Sequence, residues 1–346
     1  METQAIYRDI AKRCGGDVYI GVVGPVRTGK STFIKRFMET LVIPNITSEF
    51  ARERATDELP QSAAGRTIMA TEPKFIPEEA VKISLDDSAT LNVRMIDCVG
   101  YIVPSSLGYI ENEQPRMVVT PWFDKEIPFN LAAEIGTQKV INEHSTIGLV
   151  VTTDGSISDI PREEYEEAEQ RVVNELRQIN KPFVVLLNCT NPSAPAAVSL
   201  RASLEERYGV PVVAVNCLDL GEADIRVILS DVLFQFPVRE VAVSLPGWVT
   251  SLAPDHWLRT SLYDSIRQSA QDVERIGQLK SKITTLSECE YVSRVLVDNI
   301  DLGSGGASVS VDVKNDLFYR ILGEATGLEI PDESALMPCM VELAAV

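Results

Sequence analysis

The stretch GPVRTGKS, Gly24 to Ser31, satisfies G-x-x-x-x-G-K-[ST] at every fixed position. That pattern describes a loop built to hold nucleotide phosphates. Its glycines let backbone N–H groups turn inward around a β-phosphate, and the following helix adds partial positive charge at its N-terminus. Lys30 has the reach to meet β- and γ-phosphate oxygens, and the Ser31 hydroxyl suits Mg2+. The candidate nucleotide-binding residues here are Gly24, Pro25, Val26, Arg27, Thr28, Gly29, Lys30, Ser31 and Thr32.

A second motif lies in RMIDCVG, where Asp97 and Gly100 form D-x-x-G at the end of a hydrophobic run. An Asp at a strand end can be a simple helix cap. Downstream of a phosphate loop, the stronger reading makes Asp97 a holder of Mg2+ through water, with the Gly100 amide as a sensor of the γ-phosphate. Between the two motifs, GRTIMATEP occupies the slot of a first switch loop. Thr67 and Thr71 are its candidate threonines for Mg2+ and γ-phosphate. Thr71 is preferred because Glu72 and Pro73 stiffen the loop just before the next strands. Lys30, Asp97 and Thr71 are therefore the candidate catalytic residues, and Ser31, Thr71 and Asp97 the candidate metal ligands. Position 101 holds Tyr rather than the Gln that often orients an attacking water, so slow hydrolysis is expected.

The base-reading position is degenerate. A guanine reader has Asn-Lys-x-Asp; this chain has Asn188, Cys189, Thr190 and Asn191. An Asn offers both a donor and an acceptor where Asp would accept from guanine N1–H and the 2-amino group, so strict guanine preference is lost. Cys189 also lacks the long aliphatic stem that covers a base. Asn188 is the one residue of the stretch expected to serve, by tying this loop to the phosphate loop. Two readings stay open: ATP as ligand, or a site that reads no base.

Apolar runs alternate with helical patterns through the first 240 or so residues, arguing for a doubly wound α/β domain over 1–238. VYIGVVG, VKISL, LNVRMID, TIGLVVTTD, FVVLLN and VPVVAVN read as strands, with the turn DDSAT joining the second and third. STFIKRFMETLV reads as a helix. So does PREEYEEAEQRVVNELRQI, with Tyr165, Ala168, Val172, Leu176 and Ile179 on one stripe and acids elsewhere. The segment from 101 to 129 is rich in Pro and aromatics and reads as a long structureless insertion, either a functional surface or passive packing. Residues 239–346 suggest a smaller α+β domain: an exit strand in VREVAVSLPGWV, one long helix in DHWLRTSLYDSIRQSAQDVERIGQLKSKI, two strands about GSGG, and a helix from about Asp316.

With 50 Asp and Glu against 32 Lys and Arg, the net charge of −18 repels phosphate backbones and argues against nucleic-acid partners. No apolar run approaches the roughly 18 residues of a membrane span. The N-terminus has no signal-peptide core, and six scattered cysteines with two histidines offer no zinc or disulfide framework, so a cytoplasmic protein is expected.

GGDVYIGVVGPVRTGKSTFIKRFME, DELPQSAAGRTIMATEPKFIP, DCVGYIVP, PRMVVTPW, AAEIGTQKVINEHSTIGLVVTTDG and DHWLR together resemble the stage IV sporulation protein A family of endospore-forming bacteria, over almost the whole chain. The resemblance implies a P-loop NTPase of the translation-factor-like GTPase class that has switched to ATP. It implies Mg-dependent hydrolysis driving self-assembly into static polymers, the basement layer of the spore coat on the forespore surface in the mother-cell cytoplasm. Implied partners are further copies of the chain and other spore coat proteins. The family's phosphate-site lysine falls on Lys30 and its magnesium aspartate on Asp97. Where the family pattern has two adjacent threonines, this chain has Ala70 and Thr71, so only Thr71 carries that role directly. Members are expected to continue beyond Val346, with the further region docking on a small amphipathic membrane peptide. Membrane recruitment is therefore not carried over to these residues. A regulatory nucleotide switch and a structural subunit with a vestigial site are the alternatives, the latter opposed by intact Lys30, Ser31 and Asp97.

Overall fold

A computed structural model describes residues 17–60, 72–84, 90–111, 113–271, 273–301 and 305–344. Thr67 and Thr71, with most of the DDSAT turn, lie outside them. The chain divides into two units, Met1–Phe236 with Leu302–Ser304, and Pro237–Asp301 with Gly305–Val346.

The first unit is a mixed α/β structure. Its strands are β1 (Asp17–Val23), β2 (Lys74–Ser84), β3 (Thr90–Asp97), β4 (Ile110–Glu111), β5 (Gln114–Pro115), β6 (Met117–Thr120), β7 (Phe123–Pro128), β8 (Ile147–Thr153), β9 (Phe183–Asn188) and β10 (Val212–Val215). Its helices are α1 (Lys30–Phe37), α2 (Glu49–Asp57), α3 (Phe129–Lys139), α4 (Glu166–Gln178), α5 (Pro195–Tyr208) and α6 (Glu222–Phe234). Six strands form one sheet in the order β10-β9-β8-β1-β3-β2, parallel except for the edge strand β2. The chain reaches both neighbours of β1, β8 and β3, by crossovers to opposite sides. The crevice beyond its carboxyl end is therefore the switch point at which such sheets bind ligands.

The sequence reasons for this layering are plain. β8 and β9 are apolar, β-branched runs buried along their whole length, as strands covered on both faces must be. On one face Val23, Ile96, Val150 and Val185 pack against Val172, Val173 and Leu176 of α4. On the other, α1 lies against β1 and β3, and α6 against β9.

Two expectations for this unit need correction. The acids of the α4 segment are not all on the outside: Glu169 is fully buried. It accepts hydrogen bonds from Arg162 Nη1 at 2.5 Å and Nη2 at 2.9 Å, from the Tyr208 hydroxyl at 2.6 Å, and from Thr152 Oγ1. Sequence periodicity missed it because an acid is placed inward only when cations and hydroxyls elsewhere in the chain complete its shell. The 101–129 insertion is not structureless either. It folds into two antiparallel hairpins, β4 with β5 and β6 with β7, which present Ile110, Met117, Val119 and Phe123 to solvent.

The second unit holds α7 (Gly247–Thr250), α8 (Trp257–Gln271), α9 (Ile276–Thr284), α10 (Asn315–Thr326) and α11 (Glu333–Ala344) with β11 (Glu240–Ser244), β12 (Val292–Asp301) and β13 (Gly306–Val313). Its sheet runs β11-β13-β12, the first pair parallel and the second antiparallel. Val309 and Val311 pack with Leu258, Leu262, Leu279, Ile283 and Leu317 from the helices. The expected single long helix is broken between α8 and α9. The Gln278 side chain accepts from the amides of Glu274 and Arg275, satisfying backbone donors that a continuous helix would have used internally.

Candidate active site

The parallel register sets Val22 of β1 beside Asp97 of β3, so the phosphate loop leaves its strand next to the D-x-x-G segment. A parallel bridge between Pro25 and Tyr101 joins the two loops, through Val26 N–H to Tyr101 O at 2.9 Å and Tyr101 N–H to Gly24 O at 3.3 Å. α1 opens at Lys30 after Gly29, with no acidic residue in its first turn to compete with an anion. Arg27, at the apex, holds φ +62°, a left-handed conformation that non-glycine residues adopt rarely and that gathers at ligand clamps.

Lys30 is buried, and its ammonium donates to Pro25 O at 2.6 Å and Gly24 O at 3.4 Å. Burial pushes its pKa below the ordinary value, while Cys98 and Asp97 nearby pull the other way. Ser31 Oγ donates to Asp97 Oδ2 at 2.8 Å. Burial raises the Asp97 carboxyl above its ordinary range, against the Ser31 bond and the Lys30 charge. Asp97 Oδ1 is buried and has no hydrogen-bond partner among the described residues. A buried carboxylate oxygen left bare beside a serine hydroxyl is a fit place for a hard cation or its water. Thr28 Oγ1 closes the loop internally on Pro25 O at 3.0 Å.

Asn188 joins three segments. Its Nδ2 donates to Thr28 O at 3.0 Å, and its Oδ1 accepts from Cys217 N–H at 3.1 Å in the loop after β10. Gly29 is obligatory beside it: a Cβ there would stand 2.3 Å from Asn188 Nδ2, and its φ is +92°. Cys189 is buried, with burial and Asp154 pushing its thiol up to about 11, so it offers no surface to cover a base. Asn191 is exposed, its Oδ1 accepting from Ser193 N–H at 3.2 Å.

Two residues at the end of the D-x-x-G segment direct groups away from the phosphate loop. The Tyr101 side chain turns away from the phosphate loop, its hydroxyl donating to Glu175 Oε2 at 2.5 Å and its ring lying 4.2 Å from the Arg171 guanidinium carbon. The Gly100 N–H points at α3 and donates to buried Thr137 Oγ1 at 3.2 Å. Sequence reasoning passed over Thr137. Its one available signal was a lone hydroxyl in the apolar α3 sequence FNLAAEIGTQK.

The family model for the ATPase domain of stage IV sporulation protein A matches residues 1–237, and that for its middle domain matches 238–346. The chain belongs to the stage IV sporulation protein A family. It is 50% identical to the Bacillus anthracis protein of that name over 344 residues, covering 99% of this chain and 70% of the relative. Coverage is the same against the Bacillus subtilis (strain 168) protein at 47% identity over 344 residues, and against that of Clostridioides difficile (strain 630) at 47% over 341. The family that the sequence phrases resemble is thus the family found. The model matching the sheet unit is that of an ATPase domain, so a nucleotide is its substrate and sporulation its setting. Among the described residues no helix is long and apolar enough to cross a membrane.

Proposed function

We propose that the chain is a P-loop NTPase of the translation-factor-like class that binds and hydrolyses ATP, with hydrolysis driving its assembly into static polymers. One observation carries this reading: Lys30, Ser31 and Asp97 meet where a glycine-bearing loop leaves an interior strand of a mostly parallel sheet. The amides of Lys30, Ser31 and Thr32 open a helix and are free of intrahelical partners, so they suit phosphate oxygens. Lys30, now shared between two carbonyls of its own loop, would add an ion pair to the β- and γ-phosphates, and that pair offsets the burial of its charge.

Ser31 and Asp97 would hold Mg2+, with Thr71 as the third contributor; the bound ion supplies neutralisation of phosphate charge. Tyr101 takes no part in orienting water, since its ring and hydroxyl are engaged by α4. The absence of that group accords with slow turnover. Loss of the Lys and Asp of a guanine reader, with Cys189 buried, supports ATP over GTP.

The polymer is proposed to serve as the basement layer of the spore coat in the mother-cell cytoplasm, with copies of this chain and other coat proteins as partners. Purified chain should release phosphate and form pelletable assemblies in Mg-ATP, and lose both on Lys30→Ala. Turnover of GTP equal to that of ATP would sink the adenine assignment. Assembly indifferent to Lys30→Ala would favour a structural subunit with a vestigial site.

A further inference from the structure

Gly100 stands between two parts of the first unit. On one side its Cα faces the phosphate loop so closely that a Cβ would lie 2.2 Å from Gly24 O and 2.6 Å from Lys30 Nζ. On the other its N–H is bound to Thr137 Oγ1, a fully buried hydroxyl on α3. That hydroxyl donates to Ala133 O at 2.8 Å within its own helix, with Cys98 Sγ a longer contact at 3.8 Å. Thr137 Oγ1 is thus held as an acceptor aimed at the Gly100 amide. The same amide would be the donor that meets a third phosphate lying against Lys30.

An amide N–H forms one strong hydrogen bond at a time. From these contacts we propose that Thr137 is a positioning residue: it holds the Gly100 amide away from the phosphate loop, and the amide leaves it only for a γ-phosphate. The inference rests on the nucleotide reading of Lys30, Ser31 and Asp97. Binding a diphosphate leaves the Gly100–Thr137 bond in place, whereas a triphosphate breaks it by turning the Val99–Gly100 peptide. Glycine, at φ +93°, is the residue type that tolerates such a turn. The bond to Thr137 is made only in the triphosphate-free arrangement, so it opposes ATP and not ADP. A difference in affinity between the two arrangements is what any ligand-driven shift requires. Because α3 begins at Phe129, directly after the β6–β7 hairpin, release of Thr137 frees the buried end of a helix whose other end carries the insertion.

The test is the affinity of the full chain, with Mg2+, for a β,γ-imido analogue of ATP and for ADP, measured by calorimetry in three proteins. Thr137→Val removes the acceptor and keeps the shape. It should tighten the analogue about fivefold, the worth of one ordinary hydrogen bond, and leave ADP unchanged. Thr137→Ser keeps the hydroxyl and should restore the original ratio. A ratio unchanged or lowered in Thr137→Val overturns the proposal. Should that variant fail to fold, deuterium exchange on the unsubstituted chain decides. Exchange in the α3 segment around Thr137 must rise with the analogue and not with ADP, and equal exchange with both overturns the latch. Failure of the unsubstituted chain to bind either nucleotide removes the nucleotide reading itself, which is a different outcome from binding without a Thr137 effect.

Discussion

Ser31 and Asp97, 66 positions apart in the chain, meet through a 2.8 Å hydrogen bond at the carboxyl end of the central strands. Asp97→Asn keeps the size and an acceptor for Ser31 but removes the charge that would hold Mg2+. Phosphate release from Mg-ATP should fall by about 100-fold or more, the scale seen when one electrostatic contributor is removed, with the circular dichroism of the chain unchanged.

Asn188 uses both ends of its amide, one on Thr28 and one on Cys217. Asn188→Asp retains the acceptor for Cys217 and turns the other end from donor to acceptor, facing the Thr28 carbonyl. The unsatisfied buried groups should cost about 1–3 kcal/mol in stability. Chemical denaturation with and without ATP would check it, and nucleotide protection should weaken as well.

Tyr101 occupies the place of a water-orienting group but spends its hydroxyl on Glu175. Burial first, and then that bond, push the phenol above its ordinary pKa, so it stays protonated. Tyr101→Phe should leave the turnover number within about twofold and cost about 1 kcal/mol of stability. A hundredfold drop in turnover would instead give Tyr101 a part in the mechanism.

Glu169 sets a pH dependence. Burial would raise its carboxyl pKa, but Arg162, Thr152 and Tyr208 outweigh burial and hold it below the ordinary 4.5. A folded-state value below the unfolded one means the contribution is present in full above pH 4.5 and is lost as pH falls through the folded value. Glu169→Gln should lower stability at neutral pH by about 3–5 kcal/mol, because Arg162 is left without its counter-charge. It should also flatten the acid limb of the stability profile, as measured by thermal melts stepped downward from pH 6 or so.

The sheet was legible because most of its strands are apolar runs bounded by turn residues, though the first half of β2, KFIPEE, gives no such signal; the phosphate loop was legible because its fixed positions are dictated by backbone geometry. Lys30, Ser31 and Asp97 could be named from spacing alone. The inward acid Glu169 could not, since its shell comes from Thr152, Arg162 and Tyr208 on separate elements. Thr137 was hidden for the same reason: a hydroxyl in an apolar helix means nothing until its neighbour is known to be the Gly100 amide. The break between α8 and α9 turns on one Gln278 side chain, a choice that helical periodicity does not register.

The Asn188 bond to Thr28 closes a span of 160 residues, and its bond to Cys217 reaches the loop after β10. The site therefore exists only in a chain whose β1, β9 and β10 ends are brought together. An incompletely folded chain lacks that arrangement and would gain nothing from nucleotide, while a native chain that binds it would gain about 2.7 kcal/mol at a hundredfold excess over Kd. Nucleotide bound at this site would thus act on the folding equilibrium as a selector of finished molecules, ahead of any chemistry it undergoes.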